Sequence, residues 1–240
     1  GYNGDDERRN REFTLLQNAV AAVASQVPAS LNIDSDGDGN VDNVVFIVSG
    51  SAGEWSSLLW PHRWAIYDPY VYLHGKRVSD FNFQLKDFLA SRGVGVICHE
   101  FFHTLGAPDL YHYTSNGIDP AGSWDLMCSD QNPPQHMTAF MKWKYGNWIA
   151  TIPTIFFGQQ YTLNPLTSST GNCYRINSNN PNQYYVVEFR KKTGTYESSI
   201  PGSGLLIYRI DTSAGEGNAD GPPDELYIYR PGGTTTVNGT

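Results

Sequence analysis

The chain contains the stretch Cys98-His99-Glu100-Phe101-Phe102-His103-Thr104-Leu105-Gly106-Ala107-Pro108-Asp109. Residues four apart share one face of an α-helix, so His99 and His103 can bind one metal ion. Glu100 follows the first histidine and can lie beside a metal-bound water. The run from Val94 to Leu105 is mostly apolar and predicts a buried helix, in which histidines without a metal would be costly. The pattern is typical of zinc hydrolases.

The third metal ligand must come from outside this helix, because zinc in hydrolases usually keeps three protein ligands and one position for water. A glutamate on a following helix is disfavoured: no Glu lies between Glu100 and Glu188, and Glu188 falls in a strand-like run. A ligand just after a glycine turn fits better. Gly106 can end the helix in the left-handed conformation, so that Asp109 returns to the metal. Asp109 is therefore the preferred ligand, and Asp119, Asp125 and His112 stay open as alternatives.

The same stretch predicts a mechanism. A zinc ion lowers the pKa of its bound water to about 7, which makes hydroxide available at neutral pH. A carboxylate must then accept the proton and later deliver it to the leaving amine, and Glu100 is the predicted general base and acid. We expect a zinc endopeptidase that hydrolyses peptide bonds with a zinc-activated water. The alternatives are a non-catalytic binding module stabilised by its metal and a zinc hydrolase acting on a non-peptide amide.

An acidic loop precedes the first predicted strand. Carboxylates alternate with small residues there, and Gly39 permits a sharp turn. Calcium needs several oxygen ligands at flexible distances, and an EF-hand loop supplies them at similar spacing. The similarity ends at the twelfth position, where Val45 replaces the bidentate Glu, and a solvated acidic turn is the alternative. We predict a structural calcium site with the ligands Asp34, Asp36, Asp38, Asn40 and Asp42.

Composition limits the classes of partner. Acidic residues outnumber basic ones by 24 to 16 among 240 residues, and the net charge is −8, so no nucleic-acid partner is expected. The one basic run, Arg190-Lys191-Lys192, follows a strand-like stretch and predicts a solvated strand end. No apolar run approaches the roughly 20 residues that cross a bilayer, so no transmembrane segment is expected. We expect a monomer with a peptide or protein substrate.

The order of predicted elements favours an α/β (α+β) fold. Apolar residues recur at three- and four-residue steps from Glu7 to Val27, which predicts an amphipathic helix stopped by Pro28. Asn43 to Ser49 follows as a strand buried on both faces. Further strands are predicted at 60–67 and 70–78, and further helices at 83–91, 94–105 and 138–145.

A β-rich region is predicted after residue 150. Its strand-like segments are separated by clusters of turn residues and lie at 156–157, 160–163, 173–176, 184–190 and 204–210. We therefore predict a zinc metallopeptidase catalytic domain over 1–150 and a β-rich domain over 151–240 that is truncated at its C-terminal end. Because Gly1 to Asp6 is polar and acidic, any signal peptide is expected upstream of this sequence.

Two motifs resemble those of the metzincin clan of zinc peptidases. The pattern His99-Glu100-x-x-His103-x-x-Gly106-x-x-Asp109 resembles the extended metzincin zinc motif, with Asp where a third His is usual. The segment Gly122-Ser123-Trp124-Asp125-Leu126-Met127 resembles the methionine turn of that clan, which implies that Met127 packs beneath the metal ligands. Many metzincins carry a Tyr two residues later, where this chain has Ser129. The residue that stabilises the oxyanion stays open among Tyr111, His112 and Tyr113.

The combined motifs resemble one family in particular, the immune inhibitor A family of secreted bacterial metallopeptidases. The likeness also includes the acidic loop leading into 44–50, Trp60-Pro61-His62-Arg63-Trp64, the run 185–190 and the run 201–208. It extends over residues 34–211 and is most specific around the zinc helix. The resemblance implies a metzincin-like catalytic domain, a bound zinc, a peptide or protein substrate, and secretion to the extracellular space.

Overall fold

A computed structural model of the chain describes residues 4–50, 59–114, 117–234 and 237–238. The fold is mixed, with helices and several small sheets, which agrees with the predicted α+β class. The chain divides into two compact units, Gly1–Thr104 and Leu105–Thr240. The domain boundary near residue 150 stays a prediction. Within the described part of the chain, no helix is both long and apolar enough to span a membrane.

The helices are short apart from the first. The α-helices are α1 (Asp5–Val23), α2 (Lys86–Arg92), α3 (Gly95–Thr104) and α4 (Ala139–Lys144). The strands are β1 (Val44–Val48), β2 (His62–Ala65), β3 (Val71–Leu73), β4 (Lys76–Val78), β5 (Asp80–Leu85), β6 (Cys173–Asn177), β7 (Gln183–Arg190), β8 (Gly204–Asp211) and β9 (Leu226–Ile228). Short 3₁₀ turns occur at Ala24–Gln26 and Gly122–Trp124.

The first unit is built on a three-stranded sheet in the order β1-β5-β2. Strand β5 is central, parallel to β1 and antiparallel to β2. Helix α1 buries Phe13, Leu16 and Val20, whose three- and four-residue spacing places them on one face. These side chains belong to the same apolar core as Phe81 and Phe83 of β5. The predicted amphipathic helix is confirmed.

Aromatic rings dominate this core. The ring of Phe13 lies 5.6 Å from that of Trp64, 5.2 Å from that of Tyr67 and 6.5 Å from that of Phe81, measured between centroids. Its contacts with Tyr67 and Phe81 are edge-to-face, the arrangement that the ring quadrupoles favour. Phe13 is only 1% exposed, so it joins the helix to two strands of the sheet.

Several predicted elements of this unit differ from the structure. The helix predicted at 83–91 begins only at Lys86, because Phe83 to Leu85 complete the central strand. The strand predicted at 70–78 is a hairpin of β3 and β4, since His74 and Gly75 both adopt positive φ. The prediction that the first strand is buried on both faces is wrong: β1 lies at a sheet edge, and Ile47 is 60% exposed.

The second unit contains a four-stranded antiparallel sheet in the order β6-β7-β8-β9. Side chains alternate along β7 and β8, and the buried face carries Val186, Leu206 and Tyr208. The strands predicted at 173–176, 184–190 and 204–210 are confirmed. The segments at 156–157 and 160–163 are not strands: the first lies in an exposed turn, where Phe157 is fully exposed.

We predict that Phe13→Ala lowers the free energy of unfolding by about 3–5 kcal/mol, because it removes a buried ring shared by α1 and the sheet. Phe157→Ala provides the control and should change that free energy by less than about 0.5 kcal/mol, since its ring is already in water. Urea denaturation followed by tryptophan fluorescence measures both. Equal losses in the two variants would contradict this account of the core.

Candidate metal centre

Helix α3 places His99 and His103 on the same side, as the four-residue spacing predicts. Their Nε2 atoms lie 3.1 Å apart and their ring planes are nearly perpendicular, at 85°. Two nitrogen ligands of one tetrahedral zinc ion would lie about 3.3 Å apart, given Zn–N bonds of 2.0–2.1 Å. The imidazoles are therefore already spaced as a pair of metal ligands.

The C-terminal end of α3 is attached to the sheet by a polar cluster around Thr104. The Thr104 hydroxyl accepts hydrogen bonds from Asn43 Nδ2 at 3.0 Å and from Asn82 Nδ2 at 3.1 Å. It donates to Asp80 Oδ1 at 3.2 Å. Because Thr104 follows His103 directly, this cluster limits rotation and sliding of the helix turn that carries the second histidine.

The chain after α3 returns the predicted third ligand to the histidines. Gly106 has a φ of 92°, the left-handed conformation expected of a glycine that ends a helix. Asp109 is 6% exposed, and one ligand atom from each of His99, His103 and Asp109 lies within 4.8 Å of the others. Two imidazoles and one carboxylate are a donor set that suits zinc with an open fourth position.

The backbone around Asp109 is held by Asn218, which the sequence analysis did not identify. The Asn218 N–H donates to the Asp109 carbonyl at 2.9 Å, and its side-chain amide donates to the Leu110 carbonyl at 3.0 Å. The same amide donates to Leu226 O and accepts from Leu226 N–H. Asn218 is fully buried with its side chain fully bonded, so the segment with Asp109 is attached to the start of β9.

The close approach of these two segments requires a glycine at position 217. A Cβ built there would lie 2.6 Å from Cβ of Pro108 and 2.7 Å from the carbonyl oxygen of Asp109. Gly217 also has a positive φ of 74°. The only sequence signal for this contact is the glycine-rich run 215–221, which by itself indicates a loop and not its partner.

The alternative third ligands are bonded elsewhere. His112 Nε2 lies 2.5 Å from Asp224 Oδ1, and both side chains are almost fully buried. Asp119 accepts hydrogen bonds from Gly122 N–H and from the Cys128 thiol, both at 2.8 Å. Among the described residues, none of these is grouped with the paired histidines, and neither is Asp125.

The segment that resembles a methionine turn is a buried, well-bonded turn. Met127 is fully buried, and its carbonyl accepts the N–H of Leu110, the residue after Asp109, at 2.9 Å. The Asp125 carboxylate accepts the N–H groups of Met127 at 2.8 Å and Thr138 at 2.7 Å. Burial raises the pKa of Asp125, and these two backbone bonds oppose that rise.

A buried ion-pair network supports the same turn. The Arg190 guanidinium binds both oxygens of Glu197, at 2.7 and 2.8 Å, and donates to the Trp124 carbonyl at 2.8 Å. Glu188 lies beside it and accepts from Ala139 N–H at 2.7 Å. Arg190 is fully buried, so the prediction that 190–192 is a solvated strand end is wrong for its first residue. Its charge is balanced by Glu188, on the same strand, and by Glu197, in the loop that follows the strand.

The acidic loop brings together three of its predicted ligands, Asp34, Asp36 and Asp42. Asp34 is buried, and its Oδ2 accepts from Lys76 Nζ at 2.6 Å and from Gly39 N–H at 3.1 Å. The hydrogen bond from Lys76 lowers the pKa of Asp34. The second oxygen, Oδ1, is buried and has no hydrogen-bond partner.

The other two predicted calcium ligands interact with each other. Asn40 donates to the two Asp38 oxygens through its backbone N–H at 2.7 Å and its amide at 2.8 Å. Asp38 is therefore turned toward Asn40 and is not grouped with the other three carboxylates.

Comparison with known proteins shows which family the stretch around this site is similar to. Residues 32–149, about half of the chain, match the model of the immune inhibitor A peptidase M6 catalytic domain. The matched stretch includes the acidic loop, helix α3, Asp109 and Met127. The match supports a metallopeptidase function, and a metallopeptidase family implies a bound metal.

A curated member of the same family is similar in sequence to this chain. Immune inhibitor A of Bacillus thuringiensis subsp. alesti is 29% identical in an alignment 153 residues long, and the alignment covers 48% of this chain and 22% of that protein. The chain thus spans about a fifth of the length of this relative. The predicted resemblance to the immune inhibitor A family is confirmed.

We predict that His136, which lies beside the ion-pair network, makes stability depend on pH. Burial and the positive charge of Lys142 lower the pKa of His136 to about 4, so it is neutral in the folded protein at neutral pH. In the unfolded chain His136 takes up a proton near pH 6.5, so between about pH 6.5 and about pH 4 the unfolded state binds more protons than the folded state. Lowering the pH through this range therefore lowers the free energy of unfolding.

Urea unfolding measured at several pH values tests whether the free energy of unfolding falls with pH as predicted. The difference in unfolding free energy between wild type and His136→Gln should shrink as the pH falls through that window, with a slope of at most about 1.4 kcal/mol per pH unit. A difference that stays constant, or grows in acid, would show that His136 is not held neutral by the fold.

Proposed function

We propose that this chain is a zinc-dependent endopeptidase with His99, His103 and Asp109 as its metal ligands. One observation carries the proposal: the two imidazoles and the Asp109 carboxylate converge within 4.8 Å, in a stretch that matches a peptidase family model. The 3.1 Å separation of the two Nε2 atoms supports a shared ion. When bound, zinc would polarise the scissile carbonyl and lower the pKa of a coordinated water to about 7.

Glu100 acts as the general base and acid in this proposal. It follows His99 on α3 and is partly buried. Its carboxylate accepts the proton of the attacking water and transfers it to the amine of the departing peptide, so one group serves both proton transfers. The substrate is a peptide or protein chain.

We further propose a metzincin-like arrangement of the catalytic domain, over residues 1–150, followed by a β-rich domain. The left-handed Gly106 between α3 and Asp109 supports it. So does the buried Met127, whose carbonyl is bonded to the residue after Asp109. The family relationship supports a secreted enzyme, and the net charge of −8 supports a substrate other than nucleic acid. We propose that it acts as a monomer.

We predict that Glu100→Gln lowers kcat for peptide hydrolysis by about 10²–10⁴-fold, because the amide cannot accept the proton. Zinc content, measured by atomic absorption, should stay at the wild-type level. Glu216→Gln is the matched control, because Glu216 is exposed and pairs with Lys144 at the surface. The kcat of this variant should stay within about twofold of wild type.

Each result has a definite meaning. Wild-type turnover in Glu100→Gln would refute the assigned role of Glu100. Wild-type protein that binds zinc, leaves peptides intact and deacetylates sugars would favour a hydrolase of a non-peptide amide. Zinc binding without any hydrolysis would favour a metal-stabilised binding module.

We also propose that the acidic loop binds calcium through Asp34, Asp36 and Asp42, with Asp38 and Asn40 turning toward the ion when it binds. The three grouped carboxylates supply oxygen ligands of the kind that calcium prefers. Asp34 Oδ1 supports the proposal most directly, because a buried carboxylate oxygen without a partner is costly and a cation would satisfy it. Asp34 Oδ2 already binds Lys76, so the Lys76 ammonium supplies part of the positive charge.

We predict that calcium raises the melting temperature of the zinc-loaded protein, since an ion that binds only the folded state stabilises it by about 2.7 kcal/mol at a hundred times its Kd. Asp36→Asn should reduce this increase, whereas Asp130→Asn, an exposed change outside the loop, should preserve it. Differential scanning fluorimetry over a calcium titration measures both. A calcium response that is unchanged in Asp36→Asn would refute the site.

A further inference from the structure

We propose that Tyr113 is a positioning residue of the metal centre, whose hydroxyl orients the Asp109 carboxylate so that it binds the metal through its other oxygen. This inference rests on the proposed function, because it takes Asp109 as a metal ligand. It assigns to Tyr113 a role that the spacing of the zinc motif does not suggest, since that motif ends at Asp109.

The contact is short and directional. The Tyr113 hydroxyl donates to Asp109 Oδ2 at 2.6 Å, within the range of O–H···O⁻ bonds, which are about twice as strong as neutral hydrogen bonds. Asp109 is 6% exposed, so little water competes for the carboxylate. A metal ligand whose orientation is set by a second group loses less freedom on binding, and such outer contacts commonly tune metal affinity.

The backbone of this segment is held independently of the hydroxyl. The Asp109 carbonyl accepts from Asn218 N–H, and the next residue donates to the Met127 carbonyl. Tyr113 N–H donates to the Ala219 carbonyl at 2.9 Å, which fixes the other end of the segment. With the main chain fixed at both ends, the remaining freedom at Asp109 is rotation of its side chain. The hydroxyl of Tyr113 restricts that rotation.

The ring of Tyr113 adds little to the core. It is 66% exposed, lies 5.6 Å from the Tyr111 ring, and lines a cavity of about 360 Å³ together with Thr114 and Ile118. Removing only the hydroxyl therefore leaves the packing of the unit intact, so its effect on the metal can be separated from any effect on folding.

The proposal also separates Tyr113 from an oxyanion-stabilising role, for which Tyr111, His112 and Tyr113 were open candidates. A hydroxyl bonded to Asp109 acts through the metal ligand and not on the substrate. Its removal should weaken metal binding while leaving kcat at saturating zinc within a few fold of wild type. Loss of an oxyanion donor would instead lower kcat by about 10²–10³-fold.

The test is the zinc affinity of Tyr113→Phe, measured by competition with a chromophoric chelator. We expect a Kd about 10–100-fold weaker than wild type, the usual effect of removing an outer-shell partner. Tyr174→Phe is the matched control. The hydroxyl of Tyr174 donates to the Thr162 carbonyl at 2.9 Å, and both residues are more than 50 positions along the chain from Asp109. That variant should bind zinc within about twofold of wild type.

A double-mutant cycle with Asp109→Ala sharpens the test. In the Asp109→Ala background, Tyr113→Phe should cause no further loss of zinc affinity, because the carboxylate that the hydroxyl orients is gone. A general structural role would instead persist in that background. Equal losses in both backgrounds, or a wild-type Kd for Tyr113→Phe, would overturn the proposal.

These outcomes are distinct from those of the proposed function. If wild type binds zinc and cleaves peptides while Tyr113→Phe binds zinc equally well, only the role of Tyr113 fails. If Tyr113→Phe weakens zinc binding but wild type cleaves no peptide, the peptidase proposal fails and the positioning role stands. If wild type binds no zinc, both fail.

Discussion

The hydrogen bonds of Asn218 constrain the part of the molecule on which the candidate metal centre depends. Asp109 lies in a loop of non-repeating structure, where a backbone without partners would move freely. Asn218 bonds the carbonyls of Asp109 and Leu110, and its own amide is completed by Leu226 at the start of β9. A sheet strand thereby supports a loop residue that follows α3 by five positions. Gly217 permits the contact, because any Cβ there would collide with Pro108.

The same segment is bonded on its other side to the turn that ends at Met127. That turn is organised by charges in the interior, where Asp125 accepts two backbone N–H groups and Arg190 donates to the Trp124 carbonyl. Buried ion pairs are weak evidence for stability, because desolvation offsets much of their attraction. The bidentate pair of Arg190 with Glu197 is better understood as a geometric constraint. It fixes the orientation of the planar guanidinium, which then donates to the Trp124 carbonyl.

Local patterns were sufficient for the elements with strong periodicity. The apolar spacing of α1, the strands at 184–190 and 204–210, and the placement of His99 and His103 on one side of a helix each appear in the structure as predicted. Predictions failed where an apolar run had two possible meanings. Phe83 to Leu85 fit a helix start as well as a strand, and their central position between β1 and β2 decided the outcome. Strand β1 likewise buries Phe46 on one face and exposes Ile47 on the other, and its uniformly apolar sequence does not show which face is covered.

The candidate site divides in the same way between sequence and tertiary structure. Residue types and spacing were enough to propose the histidines, Glu100, Asp109 and the acidic loop, because these groups lie close together along the chain and their chemistry is specific. Tertiary structure decided what holds them. Asn218 and Arg190 donate hydrogen bonds to carbonyls that lie far away in the chain, and nothing in a side chain's identity says which distant carbonyl it will meet. Those pairings exist only once the strands have packed and the loops have been brought together.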